Sequence, residues 1–187
     1  TKKTVFIGHP LYPSFGSNSF MEIYEGGLLK KNYKSLFFLK SGFLLYVKDV
    51  FFTFYYFFKI GSTIDIAVGI DNLNTGVLLL LKKINLVKKV IYHTVDYTPN
   101  RFQNKIINNI YHVIDKWCCH EADIIWNSSG RMNEVRVKNG LEKSRIANTI
   151  ITPDGSNFDF KKRLPISKID KKTVVFLGHL RERLGLE

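Results

Sequence analysis

An α/β fold built on a Rossmann-like, doubly wound parallel sheet is predicted by three observations. Short apolar runs alternate along the chain with longer stretches of helical periodicity, the pattern of strands joined by helical crossovers. Most of the runs are continuous rather than alternating, as in strands covered on both faces. Polar residues cluster just after several runs, at the strand ends where open parallel sheets bind ligands.

The elements follow in order. Thr4–Gly8 (T-V-F-I-G) reads as a strand ending in the turn signal Gly8-His9-Pro10. The loop His9–Asn18 carries Pro10, Pro13, Gly16 and Ser17, and Ser19–Lys30 then reads as a helix with Phe20, Ile23, Tyr24 and Leu28 on one side. Leu36–Leu39 is a second strand, Gly42–Ile60 an aromatic helix and Ile64–Ile70 a third strand. A turn after Asp71 leads to an apolar helix, Gly76–Ile84, and then to a fourth strand, Lys89–Thr94. The clearest helix is Asn100–Ala122, with Phe102, Ile106, Ile110, Val113, Ile114 and Trp117 at helical spacing. Asp123–Asn127 is a fifth strand, Gly130–Asn139 a helix and Ile146–Ile151 a sixth strand.

The pattern changes at Asp154. Gly155–Lys172 is polar, charged and interrupted by Pro165, which suits a linker, and Thr173–Gly178 (T-V-V-F-L-G) restarts as the chain opened. The expected organisation is a Rossmann-like domain over 1–160, a linker over 161–172, and over 173–187 the first strand and loop of a second domain that the chain leaves incomplete.

Composition narrows the classes. At 187 residues, 45% hydrophobic and 24% charged, the chain is globular and long enough to bury a core without a metal or disulfide staple. Its two cysteines, Cys118 and Cys119, are neighbours and point to different helix faces, so a disulfide between them is not expected, nor a metal site without a second ligand cluster. A reducing, cytoplasmic setting follows. The net charge of +12 calls for an anionic partner. No RNP-type aromatic motif or zinc-finger spacing accompanies it, so no nucleic acid is expected and a phosphorylated substrate or an anionic membrane surface is preferred. Lys48 and Asp49 sit inside the apolar stretch Phe43–Ile60. Each costs about 2.5–3.5 kcal/mol at the centre of a spanning helix, which argues for a buried or interfacial helix. No signal peptide is read at the start of the chain.

Three constellations carry chemistry. The loop His9–Ser19, leading into a predicted helix start, offers backbone N–H groups to a phosphate, although it lacks the G-x-G-x-x-G fingerprint of a dinucleotide site. That lack disfavours a dehydrogenase or an epimerase. The segment Tyr92-His93-Thr94-Val95-Asp96-Tyr97-Thr98-Pro99 places a histidine and an aspartate at a strand end beside aromatics, a set able to bind sugar hydroxyls. Asp96 acting only as a helix cap is the alternative. Arg101, in the first turn of the predicted helix, opposes the helix dipole and points to an anionic ligand, or is a solvated side chain. Ser128-Ser129 lacks a G-x-S-x-G elbow and reads as a helix cap rather than a nucleophile, and His112 and His120 read as packing or surface residues.

Taken together these residues resemble the group 1 (family 4) glycosyltransferases. The residues that carry the resemblance are the histidine-bearing strand end Tyr92–Asp96, the strand Asp123–Ser129 and the turn Pro153-Asp154-Gly155 with Phe158. Gly178-His179-Leu180 with Gly185 completes it. The resemblance implies the two-domain GT-B fold, with this chain supplying the acceptor-side domain and only the start of the donor side. It implies a retaining transfer from a nucleotide-sugar to a glycan or lipid-linked acceptor, without metal or cofactor, on the inner face of the membrane. It implies His93 at the reaction centre, Gly16, Ser17, Gly178, Arg181 and Arg183 at the donor diphosphate, and Asp96 and Arg101 at the acceptor. His179 and Leu184 depart from the arginine and lysine of the family's donor motif, and Arg181 and Arg183 stand near as substitutes. A chain holding only half of the cleft is expected to fold without turning over. A non-catalytic interaction module with the same fold is the alternative.

Overall fold

The computed structural model describes residues 3–10, 18–35, 43–153, 155, 165–168, 170 and 172. The expected strands at 36–39 and 173–178 lie outside them, as do Gly16, Ser17, Gly178, Arg181 and Arg183. The chain divides into two compact units, Thr1–Asp154 and Gly155–Glu187. In the second, the described residues include a short 3-10 turn, Ile166–Lys168, closed by Lys168 N–H donating to Pro165 O at 2.8 Å.

The first unit has the expected α/β, Rossmann-like class. Strands β4 (Ile64–Ile70), β5 (Val87–Thr94), β6 (Ile124–Asn127) and β7 (Thr149–Ile151) form a parallel sheet in the order β4-β5-β6-β7. Helices α2 (Asp71–Lys83), α3 (Lys105–Glu121) and α4 (Arg131–Lys138) make the three crossovers. Strands added one after another in one direction, through right-handed crossovers, place all three helices on one face. Burial agrees: Ala67, Val90, Tyr92, Thr94, Ile125 and Asn127 are buried beneath those helices. On the opposite face Ile66, Val68, Ile70 and Ile150 remain exposed. Their continuous apolar runs, taken in the sequence to mean two covered faces, therefore leave one face largely exposed along β4 and β7 among the described residues, while Ile91 in β5 on that face is buried.

The amino-terminal part departs from the expected pattern. β1 (Lys3–Gly8), β2 (Phe20–Glu25) and β3 (Leu28–Lys34) form a separate antiparallel sheet in the order β1-β2-β3. The predicted helix Ser19–Lys30 is thus a hairpin. Phe20, Ile23, Tyr24 and Leu28 do fall at helical spacing, but Gly26 and Gly27 at φ 60° and 81° make the two-residue turn that joins antiparallel strands. Met21 and Ile23 alternate into the core with Val5, Ile7 and Tyr33 of the neighbouring strands packed about them. Their cover is α1 (Phe43–Ile60), through Phe52, Tyr56, Phe57 and Ile60. Tyr56 O–H donates to Ser19 O at 2.8 Å and fixes the helix against the hairpin.

α2 begins at Asp71, earlier than the expected Gly76. Gly69 permits this: a Cβ there would lie 2.6 Å from Thr75 Cα, so only glycine lets the first turn of α2 close onto β4. Thr75 Oγ1 lies 2.9 Å from Gly69 O and 2.8 Å from Asp71 O. At the other end Asp123 accepts from Lys82 Nζ and from Val90 N–H, each at 2.7 Å. Both bonds hold its carboxyl low against the opposing effect of burial, and they tie α2, β5 and the start of β6 together.

Candidate functional site

The carboxyl edge of the parallel sheet gathers the polar residues. β4 ends at Ile70 with Asp71 next in the chain, β5 ends at His93-Thr94, and β6 ends at Asn127 with Ser128 next. Asp71 has a left-handed backbone, φ 64°, a conformation non-glycine residues adopt rarely and often at functional sites. Burial raises its carboxyl pKa, Arg101 pulls it down, Asp96 pushes it up and His93 pulls it down. Asp71, His93, Asp96 and Arg101 therefore share one electrostatic neighbourhood. Of the described residues expected at the site, Asp96 and Arg101 are bonded to each other and His93 ends the strand before them, in register with the residue preceding Asp71.

Each is held differently. His93 stands on the sheet face opposite the helices, level with Ile70 and Trp126 in the strand register, its ring edge-on to Trp126 at 6.1 Å between centroids. Arg101 does not sit in the first turn of a helix as expected. α3 begins at Lys105 because Asn104 caps it, Oδ1 accepting from Ile106 N–H at 2.9 Å and Ile107 N–H at 3.2 Å. Asp96 is not a helix cap but the partner of Arg101, whose Nη1 lies 2.5 and 2.6 Å from its two carboxylate oxygens. Burial works against the guanidinium's charge, and the Asp96 bond more than offsets this, raising its pKa.

The loop carrying this pair is braced from α3. His112 Nε2 donates to Pro99 O at 2.7 Å, which leaves Nδ1 to accept from Tyr97 O–H at 3.1 Å. Asn139 Nδ2 donates to the same Tyr97 oxygen at 3.1 Å, and Asn108 Nδ2 to Pro99 O at 2.9 Å. His112, read in the sequence as a packing or surface residue, instead orders the site loop. Ser129 Oγ accepts from Arg131 N–H at 3.3 Å at the start of α4, the capping role expected of the serine pair.

Beneath the loop lies a fully buried ion pair that sequence reading missed. Arg136 of α4 donates from Nε to Asp115 Oδ2 at 2.9 Å and from Nη2 to Asp115 Oδ1 at 2.8 Å. Tyr92 O–H gives Asp115 Oδ1 a third bond at 2.5 Å. Arg136 also bonds Thr94 Oγ1 at 2.9 Å and Asn127 Oδ1 at 3.1 Å, and stacks on the Tyr97 ring at 4.9 Å. Burial and the Asp115 charge push the Tyr92 phenol well above its ordinary pKa. Asp115 lies on the inward stripe of α3 with Tyr111, Ile114 and Cys118, and that misplaced carboxylate was the available signal.

The loop after β1 differs from the expected phosphate cradle. It leads into strand β2 rather than a helix, so no helix N-terminus follows it. His9, at its start, is buried: Nδ1 lies 2.9 Å from Ser19 Oγ and Nε2 2.8 Å from Thr53 Oγ1. Cys118 and Cys119 are free and buried, and burial pushes the Cys119 thiol up to about 12. Among the described residues no group of His, Cys, Asp and Glu side chains is placed to hold a metal ion. A recess lined by Phe57, Gly61, Thr63 and Leu86 lies at the amino end of β4 and β5, away from the candidate site. No family model matches the chain, and no curated protein matches it significantly in sequence.

Proposed function

We propose that this chain is the acceptor-side part of a glycosyltransferase moving a sugar from a nucleotide-sugar donor to a glycan or lipid-linked acceptor, with retention. The observation that carries the reading is the placement of Asp71 just after β4, of His93 at the end of β5 in register with Ile70, and of the bonded pair Asp96–Arg101 in the loop that follows β5, all at the carboxyl edge of a parallel sheet. Sugars are recognised by paired hydrogen-bonding groups beside an apolar ring, and His93 has Trp126 beside it. In this reading His93 contacts the transferred sugar, while Asp96 and Arg101 orient the acceptor. Gly16, Ser17, Gly178, Arg181 and Arg183 would meet the donor diphosphate. The chemistry asks for backbone dipoles and cations that stabilise the departing diphosphate, and the reading invokes no metal or cofactor. The reaction would run on the cytoplasmic side of the membrane.

The test, on the complete two-domain enzyme that this reading implies, is calorimetric titration with a panel of nucleoside diphosphates and their sugars, read with sugar turnover, with and without His93→Ala. One nucleotide should bind, and turnover should fall about a hundredfold or more in the variant. Absence of binding across the panel would overturn the reading. A second reading, a non-catalytic interaction module, draws on the exposed Ile66, Val68, Ile70 and Ile150 of one sheet face.

A further inference from the structure

Helix α1 carries large apolar side chains on both its sides, yet only one side is covered. Phe52, Tyr56, Phe57 and Ile60 are buried, while Leu44, Val47, Phe51, Tyr55 and Phe58 form a stripe along the other side, 45–64% exposed. Their spacing of three and four residues puts them on one face, about 21 Å long at 1.5 Å per residue. A row of five large apolar side chains in water is not a scatter of single exposed residues, and a helix with large apolar side chains on both sides is ordinarily buried on both. We propose that this face of α1 docks on an anionic lipid bilayer, lying in the plane of its interface.

Charge selects that occupant. The charged pair within α1, Lys48 and Asp49, is turned inward and buried. Among the exposed residues of α1 Lys59 alone is charged, with its ammonium 4.1 Å above the Tyr33 ring of β3. β3 adds Lys30, Lys31 and Lys34, all exposed, and the whole chain has 28 lysines and arginines against 16 acids. An exposed aromatic stripe ending beside Lys59, with Lys31 on the same sheet face as Tyr33 and a strongly basic chain behind it, fits the boundary between anionic headgroups and acyl chains, where apolar insertion and charge attraction add. No helix of the described residues is long and apolar enough to cross a membrane, so α1 rests on the surface. Tyr46 of α1 meets Phe102 edge-on at 6.5 Å, next to Arg101, so the docked helix would hold the candidate site close to the lipid. The surface stands whether or not the chain transfers sugars.

Vesicle flotation tests it without reference to activity. The intact chain should float with vesicles of phosphatidylglycerol and phosphatidylcholine, and less with phosphatidylcholine alone. Phe51→Ser with Phe58→Ser should lower partitioning at least about tenfold. Ile66→Ser with Val68→Ser, which removes exposed apolar residues from β4, should leave it within about twofold. A polarity-sensitive fluorophore on Phe58→Cys, where Cys118 and Cys119 are buried, should shift to the blue when anionic vesicles are added. Failure of the parent chain to float, equal loss from both double variants, or an unshifted probe would each overturn the proposal.

Discussion

Two titratable side chains, His9 with its ring buried and Asp71 half-buried, respond to pH in opposite senses. His9 is satisfied as a neutral ring: Thr53 Oγ1 donates to Asp49 O and so accepts from His9 Nε2–H, while Ser19 donates to Nδ1. Burial lowers its pKa below 6.5, against the attraction of Asp49 and helped by the repulsion of Lys48. The unfolded chain therefore takes up a proton near 6.5 that the folded chain resists. This contribution is fully present above 6.5 and is lost as pH falls through the lower folded value. The urea midpoint should fall over that window, and His9→Gln should flatten that part of the profile. An unchanged slope would remove His9 from the account. Asp71 has the other sign. Its pKa is raised from 3.8, so its contribution is fully present below 3.8 and is lost as pH rises through the folded value. At neutral pH its charge, in a left-handed backbone that asparagine tolerates well, works against folding. Asp71→Asn should raise the thermal midpoint at neutral pH and, in the complete enzyme that the proposed function implies, lower turnover, the trade expected of a strained residue kept for function. A lowered midpoint would show that the charge is structural.

At the scale of elements, local sequence spoke clearly wherever one signal stood alone. β4 was legible to the residue, and α1 and α3 to within a few residues at their ends, because long apolar runs and helical stripes had no competitor. The β2–β3 hairpin was not, because four of its apolar residues happen to satisfy helical spacing while the alternation of Met21 and Ile23 and the Gly26-Gly27 turn satisfy a hairpin. Pairing with β1 decides between them. The start of α2 was hidden for another reason: it depends on a contact six residues away in sequence. A Cβ on Gly69 would meet Thr75 Oγ1 at 2.4 Å and Thr75 N at 2.8 Å. Gly69→Ala should therefore cost about 1–3 kcal/mol, from the displaced first turn of α2. Gly130→Ala, with nothing nearer than Ile151 Cδ1 at 3.9 Å and an ordinary φ of −62°, should stay within about 0.5 kcal/mol. Urea midpoints of the two variants check the contrast, and equal effects would mean that Gly69 is not the constraint on α2.

For the whole molecule, the buried Arg136–Asp115 pair is what joins the carboxyl half of the sheet to its helices. One guanidinium touches side chains from β5, β6, α3 and, through the Tyr97 ring, the loop that carries Asp96. Of the candidate site, the place of His93 at the end of β5 was legible from the apolar run that stops there, whereas the pairing of Asp96 with Arg101 was hidden because Asn104 starts α3 later than the helical spacing suggested. Arg136 was not legible, because half of the residues of α4 are charged and nothing local distinguishes its buried arginine from the exposed Arg131. The pair's energetics separate specificity from stability. Arg136→Met leaves a carboxylate buried with only Tyr92 O–H to hold it, and breaking such a pair from one side costs about 3–5 kcal/mol. Asp115→Leu alone should be costly for the same reason, since it strands the cation. The double variant Arg136→Met/Asp115→Leu removes both desolvated charges and should recover most of the single losses. Denaturant titration of the four proteins gives the coupling directly. The ring of Tyr97 loses its cation in the double variant too, so amide exchange across residues 95–101 should quicken even where global stability is restored. Restored stability with unchanged exchange in that loop would mean that His112 and Asn139 suffice to hold the site, and that the buried pair serves the fold alone.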